Sequence, residues 1–489
     1  MLPEGRRGRK LSSSSKKLSG FIRGSFILVL SNVCLKAINF FLLPLYTANL
    51  TPAMLGISDS ITSFTGFLFP LLTFGLDSAY SAFYFQKEER DRPKRVFGTL
   101  LLAFCVLGVL PFFLVPAADP ISQLLFGTAE YAPIVMIACA SLSLNLWYLP
   151  FSLELRLRNS MGLFGASSVL GSLLMILLNI LFVATMKLGP ISLVLSTVIV
   201  NAFQLIFLSI AVHQLPCREF IDFKLLKSMI IFALPLIPMA VMNWVLSLSD
   251  RYVLLAFLGD TSVGLYGISA RMTNVINIVV SAVQMSYTTF AFGSKDDEGS
   301  KKYYRYIFTF EAVALMLFCF VGSLFGREII EIMASSSYEQ AYEPLRDLLF
   351  AQMFYAMTTI VSYGALFCKK SNYLLVSVTV GAVTNLVLNI ILIPILGLTG
   401  AGFSTLVGYG LNFALTYMLS ERVYPCDYNI GRVLGCIVLL YGLSLVFADA
   451  AILARNIVAL VCFVVVFLIF RKEFRAFSRY LGSRLKGRR

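Results

Sequence analysis

Long runs of apolar residues recur along the chain, and the short segments between them hold most of the charged residues. A bilayer core about 30 Å thick is crossed by about 20 apolar helical residues. A lipid-exposed backbone must satisfy its own hydrogen bonds, which favours helices. Fourteen runs have the required length, and we predict membrane-spanning helices near residues 24–46, 57–80, 96–116, 132–153, 163–185, 189–211, 229–249, 263–290, 306–325, 345–367, 374–395, 400–420, 433–448 and 453–470.

The composition supports a membrane protein over a set of soluble domains. Hydrophobic residues make up 58% and charged residues 13% of the 489 residues, against about 45–50% and about 25% in ordinary globular proteins. The nine cysteines form no CxxC pair and the chain has one histidine, His213, so we expect no disulfide framework, no metal site and no histidine-based catalysis. The sequence therefore predicts an all-α polytopic membrane protein that needs no cofactor and is not an enzyme.

The excess of positive charge sets the expected orientation. Cytoplasmic loops collect Lys and Arg, and the predicted spans place 33 of the 40 Lys and Arg residues on one side and five on the other. Two more, Lys36 and Arg271, fall inside spans. We expect a multi-pass protein of the plasma (inner) membrane with both termini cytoplasmic. Its basic tails would contact anionic lipid, and no nucleic-acid partner is indicated.

Weak internal repeats suggest a duplication. Three matches share an offset of 208 residues, and two more share an offset of 210. The matched positions are Leu188-Gly189 with Leu396-Gly397, Ser196-Thr197 with Ser404-Thr405, Gly56 with Gly264, Gly171 with Gly381, and Asn179 with Asn389. Six predicted spans separate the copies, so both would enter the membrane in the same sense, as in a known transporter architecture. The predicted organisation is a basic tail (1–20), a six-helix bundle (21–212), a linker (213–228), a second six-helix bundle (229–421), two extra spans (422–470) and a basic tail (471–489).

The two intramembrane cations are the first candidates for function. At about 1.5 Å per helical residue, Lys36 lies about 18 Å into the first span and Arg271 about 12 Å into the eighth. A charge at such depth usually faces a polar cavity. Two cations from opposite halves would suit an anionic substrate such as a phosphate or a pyrophosphate. The alternative is that each pairs with a structural carboxylate or extends toward the membrane surface.

Acidic and amide side chains in the spans form a second group of candidates. Glu311 would form an ion pair with an arginine at the cytoplasmic end, pair with Arg271, or act as a protonatable coupling residue; we favour the first. Asp59 and Asp77 lie near opposite ends of the second span, where we favour a capping or interfacial role over coupling. Most asparagines in apolar helices serve interhelical hydrogen bonds. A few would line a sugar path, with Asn32, Asn243 and Asn274 as candidates.

Two stretches resemble a known family of transporters. Both lie at the start of a predicted six-helix bundle, and they cover the first spans and the seventh and eighth spans well. The second stretch consists of Ala233-Leu-Pro-Leu-Ile-Pro238, Asn243-Trp244, Ser249-Asp250-Arg251-Tyr252, Leu258-Gly259 and Val263-Gly264-Leu265-Tyr266. The first consists of Gly24-Ser25, Leu45-Tyr46, Leu55-Gly56 and Phe74-Gly75-Leu76. Together they resemble Wzx-like polysaccharide flippases, including the stage V sporulation protein B type, of the multidrug/oligosaccharidyl-lipid/polysaccharide exporter superfamily.

The resemblance implies two six-helix bundles that enclose a cavity, with two additional spans. It also implies that the protein flips an undecaprenyl-pyrophosphate-linked oligosaccharide by alternating access, for polysaccharide or cell-envelope biosynthesis. Its partners would then be the lipid-linked glycan, membrane lipids, a glycan polymerase and glycosyltransferases. Lys36 and Arg271 would be the cavity cations, and Asp250-Arg251 would form a structural ion pair or a gate.

Two other functions compete with this one. A multidrug or lipid II-type exporter of the same superfamily would share the fold, but drug exporters more often carry acidic cavity residues, whereas the deepest charges here are basic. A membrane enzyme such as a glycan polymerase or an acyltransferase usually needs a sizeable outer loop or a buried histidine. The outer connections near 117–131 and 326–344 are short, and His213 lies outside the spans.

Overall fold

The structure, a computed structural model, describes residues 40–84, 92–158, 160–213, 220–293, 300–473 and 475. These residues form helices joined by short connections, and no strand occurs among them. The α-helices in chain order are α1 (Leu43–Asn49), α2 (Pro52–Thr73), α3 (Leu76–Tyr84), α4 (Arg92–Leu107), α5 (Ala118–Phe126), α6 (Ala132–Leu157), α7 (Met161–Asn179), α8 (Ile191–Val212), α9 (Phe223–Ala233), α10 (Ile237–Leu248), α11 (Asp250–Leu258), α12 (Asp260–Gly293), α13 (Ser300–Leu324), α14 (Gly326–Met333), α15 (Leu345–Val361), α16 (Tyr363–Phe367), α17 (Ser371–Val423), α18 (Ile430–Phe447) and α19 (Ile452–Ile469).

Eleven helical segments in the described part of the chain are long and apolar enough to cross a membrane. One of them, α17, contains two predicted spans, 374–395 and 400–420. Its backbone breaks between them at Gly397, where φ is +61°. A further predicted span, 263–290, lies within the continuous helix α12. Most of the first predicted span, 24–46, lies outside the described residues. The helices therefore agree with a count near fourteen.

Several predicted spans are interrupted in the structure. The second one consists of α2 and α3, which are separated at Phe74 and Gly75, where φ is +49° and +65°. Glycine adopts positive φ without the steric penalty that a side chain brings. The third continues from α4 into a short 3-10 helix, Leu110–Ala117, and the fifth ends in a π-helical segment, Ile180–Thr185. These breaks redirect the chain within the membrane-spanning regions.

The chain forms two compact units, and the first comprises Met1–Leu50 and Ile57–Val241. In it, α6 packs along α8, and α3 packs against α9. Its core is apolar and includes the buried rings of Tyr80 and Phe97. The N-terminus of α9 is capped by Asp222, whose side chain accepts hydrogen bonds from the backbone of Lys224 and Leu225. Because α9 packs in this unit, the unit ends at Val241, further along the chain than the predicted linker 213–228. The predicted domain bounds remain untested.

The second unit comprises Thr51–Gly56 and Met242–Arg489. Its centre is α15, which packs against α12, α13 and α17. The last two helices belong to the same unit. Tyr441 on α18 donates a hydrogen bond of 2.7 Å to Asp347 on α15, and Arg455 on α19 donates one of 2.8 Å to the backbone oxygen of Leu324. Polar contacts thus attach both extra helices to this unit.

Residues matched by the internal repeat have the same local structure in each unit. Gly189 and Gly397 both have positive φ, at +68° and +61°. Gly189 is the first residue of the sixth predicted span, and Gly397 lies between the eleventh and the twelfth. The hydroxyls of Ser196 and Ser404 each donate to the backbone oxygen four residues earlier. Asn179 and Asn389 are both fully buried, with 1% and 0% of their surface exposed. These shared details support duplication of one helical framework.

Candidate functional site

A chain of hydrogen bonds crosses the second unit and starts at Asp250, the first residue of α11. This carboxylate is 3% exposed. It accepts a hydrogen bond of 2.5 Å from the hydroxyl of Tyr266 on α12. It also accepts one of 2.8 Å from the backbone nitrogen of Arg251, whose guanidinium lies 3.4 Å away. The predicted ion pair of Asp250 and Arg251 is therefore present. A buried carboxylate needs such donors, because an unpaired charge is strongly disfavoured away from water.

The chain continues into both halves of α17. The hydroxyls of Tyr266 and Thr405 are 3.2 Å apart, and Asn385 donates to Thr405 Oγ1 over 3.2 Å. Asn389 donates in turn to Asn385 Oδ1 over 3.1 Å. The side-chain oxygen of Asn389 is buried and has no hydrogen-bond partner among the described residues. Thr405 and Asn385 lie on opposite sides of the break at Gly397, so the network ties the two halves of α17 together.

Every hydrogen bond in this network is donated toward Asp250. Since the proton of Tyr266 goes to Asp250, its oxygen accepts from Thr405, which in turn accepts from Asn385. A change of charge on Asp250 would therefore reorder hydrogen bonds as far as Asn389. The charge of this carboxylate is balanced by the Arg251 guanidinium, 3.4 Å away. Among the described residues, no group of three or more His, Cys, Asp or Glu side chains is placed to hold a metal ion.

The first copy of the repeat keeps only part of this network: Thr197 and Asn179 match Thr405 and Asn389, but the other three positions differ. At an offset of 208, Leu42 takes the place of Asp250 and Ser58 that of Tyr266. At an offset of 210, Met175 takes the place of Asn385. The helical framework is shared, but the pair of a carboxylate and a tyrosine occurs only in the second copy.

Of the two predicted cavity cations, only Arg271 lies among the described residues. Arg271 lies half-buried on α12, five residues after Tyr266. Lys36 lies outside the described residues, so their pairing across one cavity remains a prediction. Among the asparagines, Asn274 accepts a hydrogen bond of 3.1 Å from Asn277, and Asn243 is exposed on α10. Asn32 also lies outside the described residues.

The buried glutamates have opposite surroundings. Glu311 on α13 is 3% exposed, and neither of its carboxylate oxygens has a hydrogen-bond partner within the described ranges. The ion pair that we favoured for Glu311 is thus not formed within these ranges. Glu154 on α6 is fully buried, yet it accepts from the hydroxyl of Tyr80 and pairs with Arg158 four residues later. The i,i+4 spacing places both side chains on one face at the end of α6.

The remaining acidic candidates lie where the sequence placed them, near the ends of the second predicted span. Asp59 is 9% exposed in the second turn of α2, and its backbone oxygen accepts from Ser63. Asp77 lies in the first turn of α3. A carboxylate in a first turn interacts favourably with the helix dipole. For Asp77 this position agrees with the expected interfacial role, and no observation tests a coupling role for either residue.

Sequence reasoning did not predict the partners of Asp250. Tyr266 was noted only as part of a family motif, Asn385 only as one of the asparagines in apolar helices, and Asn389 as one of these and as a match in the repeat. Their i,i+4 spacing predicts a shared helix face, which was the available signal. The hydrogen bond from Asn385 to Thr405 depends on the break at Gly397. The periodicity of side chains does not predict how the two halves of a broken helix pack on each other.

Comparison with protein families gives a match to a family described as polysaccharide biosynthesis protein, over residues 49–343. No curated protein matches the chain. The matched segment contains Asp250, Tyr266 and Arg271, together with both positions of the Gly56 and Gly264 pair.

Several solved structures have the same fold at low sequence identity. The lipid II flippase MurJ in an inward closed conformation is 14% identical, with a TM-score of 0.71 over 92% of this chain and 99% of that chain. An inward-facing multidrug resistance MATE family transporter of the MOP superfamily is 15% identical, with a TM-score of 0.65 over 81% and 95%. A MOP superfamily transporter from Pyrococcus furiosus is 16% identical, with a TM-score of 0.59 over 82% and 95%. The predicted fold class is thus confirmed.

Proposed function

The chain belongs to the polysaccharide biosynthesis protein family and has the fold of MOP-superfamily transporters, and from this premise we propose that it flips a lipid-pyrophosphate-linked oligosaccharide across a bacterial plasma membrane. In this proposal the two units alternate access between the two sides of the membrane. Both termini are cytoplasmic, as the distribution of Lys and Arg favours. Glycosyltransferases would supply the lipid-linked glycan, and a polymerase would consume it.

The observation that carries the proposal is the position of Arg271 within the family-matched segment 49–343. It is a half-buried cation on a helix that otherwise presents apolar and neutral polar residues from Val263 to Phe290. An ionisable side chain in a membrane helix is costly and usually functional. A guanidinium binds phosphate oxygens through two parallel hydrogen bonds. A pyrophosphate-linked lipid is therefore a fitting substrate.

A leaflet assay tests the proposal directly. Purified protein is reconstituted in liposomes that contain a polyprenyl-pyrophosphate-linked oligosaccharide, and exposure of the glycan on the outer leaflet is followed by enzymatic labelling. We expect protein-dependent flipping that falls at least about tenfold in Arg271→Ala, since each lost charge-assisted hydrogen bond is worth about 1.5–3 kcal/mol. Absence of flipping of any such lipid by the unmodified protein would overturn the proposal.

The same assay also tests the alternative cargoes. A lipid II-type or multidrug exporter shares this fold, and folds do not determine cargo. Liposomes with lipid II, and liposomes loaded with a cationic dye, therefore serve as competing substrates. Faster movement of lipid II than of lipid-linked oligosaccharide, or active dye transport, would favour these alternatives over polysaccharide flipping.

A further inference from the structure

Two hydrogen bonds join α12 to α15 and α16 in the second unit. Gln352 Nε2 donates to Asn277 Oδ1 over 2.5 Å, and the hydroxyls of Thr288 and Tyr363 are hydrogen-bonded. The two residues of each pair are 75 positions apart in sequence. The helices therefore run parallel and in register between these contacts. Eleven residues separate the contacts on each side, or about 16 Å along a helix axis.

Neutral polar side chains line both helices between these two contacts. On α12 they recur at alternating intervals of three and four residues, which places them on one face of a helix. On α15 the same spacing occurs. All are half-buried, and we call them the polar strip: Asn274, Asn277, Ser281 and Gln284 on α12, with Tyr355 and Thr359 on α15. Elsewhere on α12, Met272, Ile276 and Val280 are buried in the unit.

Interhelical hydrogen bonding explains only part of the polar strip. Among the described residues, the side chain of Gln284 has no hydrogen-bond partner, and the Thr359 hydroxyl donates only to the backbone oxygen of Ala356 on its own helix. Half-exposed amides and hydroxyls are unfavourable against lipid hydrocarbon, so at this depth they face protein or a water-filled path. The strip is about 15 Å long from Asn274 to Gln284, about half the thickness of the bilayer core.

We propose that the polar strip binds the neutral sugar rings of the transported glycan; this inference rests on the proposed function. Amide and hydroxyl groups both donate and accept hydrogen bonds, as sugar hydroxyls do. The strip carries no charged residue, which favours neutral sugars over uronic acids. Arg271 precedes Asn274 by three residues, so a pyrophosphate held by its guanidinium would leave the sugars beside the strip. The length of the strip suits several sugar rings rather than one.

The test compares substrates of different glycan length. Gln284→Leu and Thr359→Val are combined, because neither side chain takes part in the two hydrogen bonds between the helices. The probes are polyprenyl pyrophosphates that carry one or six neutral hexoses, in the same liposome assay. We expect the double variant to flip the six-sugar lipid about tenfold more slowly and the one-sugar lipid at nearly the normal rate.

Thr309→Val on α13 is the matched control. Its hydroxyl also bonds the backbone of its own helix, over 2.8 Å, but the residue is only 2% exposed and is inaccessible to a glycan. This control should flip both lipids normally. Equal slowing of both lipids in the double variant, or no slowing of either, overturns the sugar-binding role alone. A failure of the unmodified protein to flip either lipid overturns the transport function and this inference with it.

Discussion

Gly56 and Gly264 are in direct contact, and each occupies the same position in its copy of the repeat. A Cβ atom at Gly56 would lie 1.8 Å from the backbone oxygen of Asp260, and one at Gly264 would lie 1.9 Å from that of Pro52. Asp260 and Pro52 are themselves separated by 208 residues, as are the two glycines. The contact is thus reciprocal, and α2 and α12 cross where each begins. Small residues allow membrane helices to approach this closely.

We therefore predict that Gly56→Ala and Gly264→Ala each destabilise the protein strongly. An added methyl group would overlap a backbone oxygen, which is not free to move away as the end of a side chain would. Overpacking of this kind costs about 1–3 kcal/mol or more. The thermal unfolding midpoint in detergent should fall for both variants. The fall in the double variant should be smaller than the sum of the two single falls, since either change already separates the helices.

Gly435→Ala provides the control for this prediction. It lies inside α18, where, apart from its chain neighbours and the nearby backbone of its own helix, no atom of the described residues lies within 4 Å of an added Cβ. Alanine is also the better helix former by about 1 kcal/mol. This variant should unfold at the same temperature as the unmodified protein or higher. Normal stability of Gly56→Ala would show that the close crossing is not required.

The sequence predicted the framework well because membrane helices are determined by length and apolarity. The repeat at 208 residues also located Gly189 and Gly397 before their shared backbone geometry was known. Contacts between helices were not predictable in the same way. Nothing in the pattern indicates that Tyr266 meets Thr405, or that Gln352 meets Asn277, because side-chain periodicity specifies a face and not its partner. Glu311 was assigned an arginine partner on depth alone, and depth does not specify rotation about the helix axis.

The hydroxyl of Tyr266 should be important for the stability of the second unit. Tyr266→Phe removes the donor to Asp250 and breaks the network toward Asn389, leaving a buried carboxylate with one partner fewer. Such a loss costs about 1–3 kcal/mol. We expect a lower thermal midpoint in detergent for this variant.

The control is Tyr409→Phe, which removes a hydroxyl from the same unit. Tyr409 is 9% exposed and packs edge-on against the ring of Tyr355, a contact that phenylalanine retains. The thermal unfolding midpoint of Tyr409→Phe should stay within about two degrees of that of the unmodified protein. Equal effects of the two substitutions would argue against a specific role for the Asp250 network.

Two buried glutamates should respond differently to the same substitution. Glu154→Gln keeps the shape of the side chain but removes the charge that Arg158 pairs with, so we expect a loss of about 1–3 kcal/mol. Glu311→Gln removes a carboxyl without hydrogen-bond partners in the described structure, so its stability should change by less than about 1 kcal/mol. Unfolding in a denaturant series measures both. Comparable losses at the two positions would indicate that Glu311 has a partner in the folded protein.

The contact of Glu328 with Arg455 should make the stability of the second unit depend on pH. The Arg455 guanidinium hydrogen-bonds Glu328, which lies on the short helix α14 outside the spans, and lowers the pKa of its carboxyl. A carboxyl with a depressed folded pKa stabilises the protein above its unfolded pKa of about 4.3. This stabilisation is lost as the pH falls through the folded value. Glu328→Gln should therefore lower the thermal midpoint at pH 7, and the difference from the unmodified protein should disappear toward pH 3.

Glu331→Gln on the same helix separates this effect from a general loss of surface charge. Glu331 pairs with Arg327 over 3.3 Å, but both side chains are more than half exposed. Exposed pairs contribute little, because solvent screens them and ordering two long side chains costs entropy. This control should match the unmodified protein at both pH values. A difference for Glu328→Gln that persists unchanged at pH 3 would mean that packing of the side chain, and not its charge, holds α19 to α14.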